Sequence, residues 1–295
     1  MRARHLAVLL SFTPLILLGQ QPPPRPVQNG ALPSASPDGK RIAFTSNVDG
    51  TPDLYMINAD GTGRRRVTNT PVAESAPSWS SDGHELLFSI GRDTAHLYAV
   101  SPNGSGQREL TVVAGNGPTL SPDGKYIAYT SGKFPNATST ISALDGSSPR
   151  VLTTTPAFNF AWSPNGKLLA YTLLTADRKV EVWLANADGS SSRRLMLNDS
   201  IEGGPQWPAW SPDGKRLAIQ VGKYGQNPAE NTAHIWVIDV ATGAKTKLAA
   251  HDKPYLDETP SWLGISRIVF QSNRSGRMEL WSMNADGSDA KQITK

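Results

Sequence analysis

Three carboxylates, Glu74, Asp257 and Glu258, are the side chains in this sequence best suited to chemistry on a bound molecule. Two acids that face each other across a site can act as acid and base or as nucleophile, and their separation decides the course of glycoside hydrolysis. Asp257 and Glu258 are adjacent, whereas Glu74 comes far earlier in the chain. Whether the three acids meet therefore depends on the elements that position them.

Other catalytic and metal-binding patterns are missing from the sequence. It has no G-x-S-x-G turn of the kind that carries the nucleophile of serine hydrolases, and no H-E-x-x-H or EF-hand spacing. His96 and His234 occupy equivalent positions in the second and fifth of six sequence repeats, which is too far apart around a ring for them to share an ion. We therefore expect a protein that is not an enzyme and that needs neither a metal nor another cofactor.

The repeats are built on an eleven-residue stretch, "SPDGKRIAFTS" at residues 36–46. Its counterparts begin at intervals of 41 to 52 residues, at Ser36, Ser80, Ser121, Ser163, Ser211 and, in degenerate form, Leu263. A second marker, "NADG" at 58–61, recurs in step with the first. Periods of this length are typical of one four-stranded propeller blade per repeat. The sequence therefore predicts an all-β protein, a six-bladed β-propeller of four-stranded antiparallel blades.

The repeat markers also predict where each blade lies. The six blades should span residues 30–69, 74–112, 115–155, 157–197, 205–249 and 257–295. Aromatic side chains recur before the first turn and in the third strand of the repeats, and we expect them to pack between blades: Trp79, Trp162, Trp210 and Trp262, and Tyr55, Tyr98, Trp183, Trp236 and Trp281. Since each blade is continuous in sequence, the ring should close by packing of the last blade on the first.

The "SPDGKxIAF" and "LYxxNADGxxxxxLT" patterns resemble the TolB-type, WD40-like β-propeller repeat, over roughly residues 30–295. This resemblance implies the propeller fold. It says less about function, because proteins with this repeat serve as envelope scaffolds, as sugar-acting enzymes and as the gating propellers of prolyl oligopeptidases. Resemblance to TolB-type propellers implies a partner associated with the cell envelope.

Strand direction alternates in a blade, so the loops fall on two different faces. The first and third turns of each blade share one face, and they are uniform in this sequence. The longest irregular segments fall on the other face, at residues 196–210, 220–234 and 249–262. Loops held on a rigid scaffold are where binding usually occurs. We therefore expect the functional site at the channel mouth on this second, loop-rich face.

The predicted contact residues at this mouth are Glu74, Asn116, Phe158, Gln206, Trp207, Tyr224, Tyr255, Asp257 and Glu258. Trp207 is the one tryptophan outside the two recurring sets, so blade packing does not account for it. An aromatic flanked by acids suits a sugar ring by stacking, or a basic or aromatic peptide anchor by burial and cation–π contact. We predict a protein or peptide partner. The alternative is an oligosaccharide, bound or processed by Glu74, Asp257 and Glu258.

The N-terminal residues predict export from the cytoplasm. Arg2 and Arg4 precede an apolar run at 6–18 and a Pro-rich stretch, which is typical of a secretory signal peptide, here 1–20, followed by a linker, 21–29. The apolar run contains Pro14 and is shorter than the ~20 residues of a spanning helix. We expect a secreted or periplasmic monomer with no transmembrane span after cleavage.

Composition excludes two further classes of function. The chain has no cysteine, and therefore no disulfide and no thiolate metal site. Its net charge of +4 falls by two when Arg2 and Arg4 leave with the signal peptide. The run Arg64 to Arg66 has no interleaved aromatic residues, so we interpret it as the solvated side of an outer strand. We expect no nucleic acid partner.

Overall fold

The computed structural model describes residues 29–91, 94–133, 136–197, 202–225, 227–248 and 255–295. Within these ranges 24 strands form six sheets, and each sheet contains four consecutive antiparallel strands. The prediction of an all-β, six-bladed propeller is confirmed. The predicted signal peptide, 1–20, and all of the predicted linker except Asn29 lie outside the described residues. In the part of the chain described, no helix is long and apolar enough to cross a membrane.

We call the four strands of each blade A to D in chain order. The strands of blades 1 to 3 are β1 Ala31–Ala35, β2 Arg41–Ser46, β3 Asp53–Asn58, β4 Arg65–Arg66, β5 Glu74–Trp79, β6 Leu86–Ile90, β7 Ala95–Val100, β8 Arg108–Val113, β9 Asn116–Leu120, β10 Tyr126–Ser131, β11 Thr138–Ala143 and β12 Arg150–Thr153. Those of blades 4 to 6 are β13 Ala157–Trp162, β14 Leu168–Leu174, β15 Val180–Asn186, β16 Arg193–Met196, β17 Gly204–Trp210, β18 Arg216–Lys223, β19 Thr232–Asp239, β20 Lys245–Lys247, β21 Asp257–Leu263, β22 Arg267–Ser272, β23 Glu279–Asn284 and β24 Lys291–Gln292. A turn of 3-10 helix, Pro228–Glu230, lies between β18 and β19.

The repeated Ser-Pro-Asp-Gly stretch forms the turn from strand A to strand B. In blade 1 the Ser36 hydroxyl donates to Asp38 and accepts from the backbone N–H of Arg41, at 2.9 Å. The backbone N–H of Lys40 donates to Asp38 Oδ1 at 3.1 Å. Gly39 has a φ of +68°, a conformation that glycine adopts without a steric cost. The repeat is therefore explained by turn chemistry that every blade needs.

Four of the recurring tryptophans join neighbouring blades by the same hydrogen bond. Each donates its indole N–H to a carbonyl of strand A in the preceding blade: Trp79 to Ser34 (2.9 Å), Trp162 to Thr119 (3.2 Å), Trp210 to Ala161 (2.9 Å) and Trp262 to Ala209 (3.1 Å). The recurring aromatics of strand C pack into the hydrophobic clusters between the same sheets. The prediction that both sets pack between blades is confirmed.

The ring closes between blades 6 and 1 by different contacts. Blade 1 has Ala35 where most blades have the strand A tryptophan, and the Ala35 N–H donates to the Ser261 hydroxyl at 3.0 Å. The Asn29 N–H donates to the Met278 carbonyl at 3.3 Å, and its side-chain amide donates to the Lys295 carbonyl at 3.0 Å. Among the described residues no strand is exchanged between blades. Closure there rests on packing and on these bonds, while the segment before Asn29, which could add an edge strand, lies outside the described residues.

Candidate functional site

Strand A of each blade lies next to the central axis, where the first strands of neighbouring blades approach one another. In all six blades the pairing of strand A with strand B is interrupted near the middle of strand A. At this interruption the backbone is left-handed in five blades, at Leu32, Gly117, Asn159, Trp207 and Thr259, with φ between 48° and 60°. Such bulges turn a side chain away from its regular direction in the strand.

Trp207 is the aromatic residue at these equivalent positions. The sequence places it in a long crossover, but in the structure it lies inside strand A of blade 5, β17. Its side chain is half-buried, and its φ is +54°. A left-handed backbone costs a non-glycine residue about 1–2 kcal/mol. The same conformation recurs at the equivalent position of four other blades, so it belongs to the strand A bulge of the repeat, and the tryptophan side chain is what distinguishes blade 5.

A second feature of the same region is the carboxylate of Glu258, at the start of β21 in blade 6. Its Oε1 accepts a hydrogen bond from the Tyr224 hydroxyl at 2.5 Å, and its Oε2 accepts one from the Gln271 side-chain amide at 2.8 Å. Burial, followed by the charge of Glu258, raises the pKa of Tyr224 well above its usual range. Tyr224 is therefore a neutral donor, and Glu258 is held in one orientation by two neighbours.

Two glutamines continue these hydrogen bonds across three blades. Gln220 donates to the Tyr224 hydroxyl at 2.6 Å and accepts from the backbone N–H of Thr259 at 2.9 Å. Gln271 accepts from the backbone N–H of Leu32 in blade 1 at 3.0 Å. An unbroken chain of hydrogen bonds thus connects blades 5, 6 and 1 around Glu258.

Sequence reasoning missed both glutamines, although the repeats contain a signal. Gln220 and Gln271 occupy one position of strand B, directly opposite Gln206 and Glu258 of strand A. In blades 1 to 4 that strand B position is a hydroxyl residue: Thr45, Ser89, Thr130 and Thr172. The change from hydroxyl to amide in the last two repeats marks the blades that carry the polar chain.

The position of Tyr224 depends on a glycine. A Cβ atom on Gly222 would lie 2.5 Å from Cε2 of Tyr224 and 2.8 Å from its hydroxyl oxygen. The ring therefore lies against the backbone of β18. Beside it, the N–H of Ala233 donates to the carbonyl of Tyr255 at 3.0 Å, which joins blade 5 to the segment that enters blade 6. We call Gln206, Trp207, Gln220, Tyr224, Glu258 and Gln271 the mouth cluster.

The other two predicted acids are bound within the framework. Asp257 is 1% exposed, and its Oδ1 accepts from the Ser272 hydroxyl at 2.7 Å and from Arg274 Nε at 3.0 Å. Glu74 is 4% exposed and accepts from the backbone N–H of Leu54 at 3.1 Å, and burial raises the pKa of its carboxyl group. Asp257 is therefore bonded to residues of blade 6, and Glu74 is bonded to a residue of blade 1. They do not form a catalytic pair with Glu258.

The remaining predicted contact residues are spread around the ring. Asn116 is exposed on β9, and Phe158 is half-buried on β13. Tyr255 is half-buried just before β21, with the Arg274 guanidinium 6.0 Å from its ring centroid. Of the nine predicted residues, the structure joins Tyr224 and Glu258 by a hydrogen bond and places Gln206 and Trp207 on β17, the strand next to β21. Across the described ranges, no three His, Asp or Glu side chains are grouped so that they could hold a metal ion.

Comparison with known proteins finds relatives of several kinds. "Dipeptidyl-peptidase 5" of Porphyromonas endodontalis is 26% identical over 281 residues, which cover 88% of this chain and 38% of that protein. The structure of putative TolB from Agrobacterium tumefaciens superposes with a TM-score of 0.63 at 23% identity, over 78% of this chain and 84% of that one. Oligogalacturonate lyase from Vibrio parahaemolyticus gives a TM-score of 0.58 at 15% identity, over 93% and 80% of the two chains. This chain spans between 24% and 61% of the length of three curated relatives that it matches.

These relatives correct the prediction that the chain is not an enzyme. That prediction depended largely on the missing G-x-S-x-G turn, which concerns one type of nucleophile. A dipeptidyl-peptidase is similar in sequence, and an oligogalacturonate lyase and prolyl endopeptidases share the propeller fold. The prediction was therefore wrong, because one fold can carry many different sites and the absence of one motif does not decide among them.

The family of the chain follows from a match that extends over more than half of its length. The family model described as the TolB beta propeller domain matches residues 25–207. The fold agrees, since six four-stranded antiparallel sheets surround one axis. The chain therefore belongs to the TolB β-propeller family.

Proposed function

We propose that this chain is a secreted or periplasmic binding module that holds a protein or peptide at its loop-rich channel mouth. The observation that carries the proposal is Trp207, a half-buried tryptophan held in a left-handed conformation on a strand next to the axis. Tryptophan is enriched among the few residues that dominate the affinity of protein interfaces. A rigid strand also limits the entropy that such a side chain loses on binding.

The mouth cluster also supplies a polar group, on β21, the strand next to the one that carries Trp207. Glu258 is half-buried, and both of its oxygens are oriented by donors from blades 5 and 6. A carboxylate held in this way can accept hydrogen bonds from a lysine, an arginine or an amine of a bound peptide. Trp207 offers burial or cation–π contact to the same segment. We propose that the partner presents a basic or aromatic anchor.

The proposed location follows from the N-terminal residues. Arg2 and Arg4, the apolar run 6–18 and the following prolines favour a cleaved signal peptide. Membership of the TolB β-propeller family supports a partner associated with the cell envelope, either a protein or a peptide. We propose that the mature chain acts there as a monomer.

A second candidate function is binding or chemistry on an oligosaccharide at the same mouth. The observation that favours it is that Glu258 remains half-exposed, while Asp257 and Glu74 are buried. A tryptophan on β17 and an oriented carboxylate on the neighbouring strand β21 suit a sugar ring, which would stack on Trp207 while Glu258 accepts from its hydroxyl groups. A single carboxylate could also act as a general base.

The test compares the chain with Trp207→Ala in capture experiments from an envelope extract. Tyr126→Ala is the matched control, because Tyr126 is an exposed aromatic at the start of strand B, on the opposite face. The proposal predicts a captured protein that is lost with Trp207→Ala and retained with Tyr126→Ala. Capture that is equal for the two variants would contradict it.

For the second candidate, acidic and neutral oligosaccharides are incubated with the chain while binding and product release are followed.

A further inference from the structure

A basic groove lies at the seam between the first and last blades. It has a volume of about 520 Å³, and five of its lining residues are cationic: Arg64, Arg65, Arg66, Arg277 and Lys295. Arg65 and Arg66 lie in β4, the outer strand of blade 1, and Arg64 directly precedes it. Arg277 and Lys295 belong to blade 6. The groove is separate from the mouth cluster, which belongs mainly to blades 5 and 6.

The register of the outer strand directs Arg66 toward this seam, whereas Arg65, opposite Met56, projects from the other side of the sheet. Arg66 on β4 lies opposite Tyr55 on β3, so both side chains project from the same side of the sheet. The Arg64 guanidinium lies 5.1 Å from the Tyr55 ring centroid. Tyr55 belongs to the hydrophobic cluster that joins blades 1 and 6. The arginine run, interpreted from the sequence as a solvated strand, therefore lines a concave surface shared by two blades.

Three carboxylates offset part of this positive charge. Asp53 is fully buried and bonded to Arg66, and Glu279 is fully buried and bonded to Arg277. Asp49 lines the groove and accepts from the Tyr55 hydroxyl, and burial together with this bond raises the pKa of Tyr55 to about 12. Apart from Arg65, four cations thus face three carboxylates, which leaves an excess of one positive charge in the groove.

We propose that this groove binds a ligand bearing a phosphate group. A phosphate group is anionic near neutral pH, which complements the positive excess of the groove. Guanidinium groups bind phosphate oxygens through paired, charge-assisted hydrogen bonds. Arg64 is the main candidate contact, because its only hydrogen bond among those described is a long one to the Ser46 hydroxyl, at 3.5 Å. Arg66 and Arg277 border the ligand while they remain paired with Asp53 and Glu279.

The experiment titrates inorganic phosphate into the full chain at low salt, by calorimetry and by phosphorus NMR line width. Arg64→Ala should weaken the affinity about fivefold or more, as expected for loss of one charge-assisted bond. Arg150→Ala is the matched control, because Arg150 is an exposed arginine at the start of the outer strand of blade 3. That variant should bind like the unchanged chain. Arg64→Lys keeps the charge and tests the site if Arg64→Ala does not fold.

A second arm distinguishes the sources of the phosphate group. Vesicles of phosphatidylglycerol in phosphatidylcholine are compared with pure phosphatidylcholine vesicles in a flotation assay. Binding of inorganic phosphate that depends on Arg64 indicates a free phosphate or a small ester. Binding of the anionic vesicles alone, again dependent on Arg64, indicates a lipid headgroup. The proposal is overturned if neither probe binds, or if Arg64→Ala and Arg150→Ala change binding equally.

Discussion

Tyr224 and Glu258 are joined across the boundary between blades 5 and 6 by a hydrogen bond of 2.5 Å, in which the tyrosine hydroxyl is the donor. Tyr224 follows strand B of blade 5, and Glu258 lies in strand A of blade 6. Together with the bond from Gln271, this bond holds the Glu258 carboxylate in one orientation. It also makes the geometry of the mouth depend on how these two blades pack together.

The first prediction concerns Trp207. Replacing it with glycine should leave the free energy of unfolding unchanged or raise it, because glycine adopts the +54° φ at this position without the steric cost. The same variant, like Trp207→Ala, should lose ~2 kcal/mol or more of partner binding, as expected for a residue that dominates an interface. Urea unfolding and capture assays measure the two quantities. A large loss of stability with intact binding would show that Trp207 is a packing residue.

The second prediction uses the contact between Gly222 and Tyr224. In Gly222→Ala the new methyl group would lie 2.5 Å from the tyrosine ring and must displace it, which breaks the bond to Glu258. We expect a stability loss of ~1–3 kcal/mol, typical of overpacking, together with weaker binding at the mouth.

Gly225→Ala is the control for this substitution. Apart from the adjoining residues, no atom in the described part of the chain lies within 4 Å of a Cβ built on Gly225, so the variant should behave like the unchanged chain in both assays. Equal effects of the two substitutions on thermal unfolding would show that the contact with Tyr224 has no importance.

The third prediction separates the indole hydrogen bonds from aromatic packing. Trp262→Phe removes the donor to the Ala209 carbonyl and should cost about 1–2 kcal/mol beyond its loss of contact area. Trp281 packs into the same cluster between blades 5 and 6, but its indole nitrogen is buried with no hydrogen-bond partner among the described residues. Trp281→Phe should therefore cost less. Denaturant unfolding of the two variants measures the difference, and a larger loss for Trp281→Phe would refute this explanation.

The fourth prediction concerns acid stability. The Ser36 hydroxyl holds the pKa of Asp38 below its usual value of 3.8, and the pKa values of the turn aspartates Asp123 and Asp213 are lowered in the same way by their serines. Because these folded-state pKa values are depressed, the stability they contribute is complete above pH 3.8. It is lost as the pH falls from there through the folded-state values. The contribution is small, since these side chains are mostly exposed to solvent.

Blade 4 shows how this prediction can be tested. Its turn has Asn165, which accepts from the Ser163 hydroxyl at 2.8 Å and from the Lys167 N–H at 3.0 Å, and it does not titrate. Replacing Asp38, Asp123 and Asp213 with asparagine should therefore flatten the fall in stability below pH 4. Unfolding by urea between pH 2.5 and 6 measures it. If stability still falls with pH at the same slope, other carboxyl groups cause the loss of stability in acid.

The local architecture could be predicted from the sequence because its causes are local. The Ser-Pro-Asp-Gly turn requires only neighbouring residues, and the alternation of side chains around it determines the hairpin. In blade 1, strand B at Arg41–Ser46 follows this turn directly, and strand C at Asp53–Asn58 ends where the "NADG" marker begins. The recurring tryptophans could be assigned to blade packing for the same reason, since their period follows that of the turns.

Only the tertiary structure decided what each acid and aromatic residue at the mouth does. Asp257 and Glu258 are neighbours in sequence, yet one binds Arg274 in its own blade and the other binds Tyr224 in the preceding blade. The interruption in strand A turns Trp207 away from the regular alternation, and no local pattern indicates this shift in pairing. Contacts across blade boundaries depend on register and on bulges, which residues distant in the chain determine together. The sequence by itself therefore determined the blades and their order, and the packing of the blades determined the site.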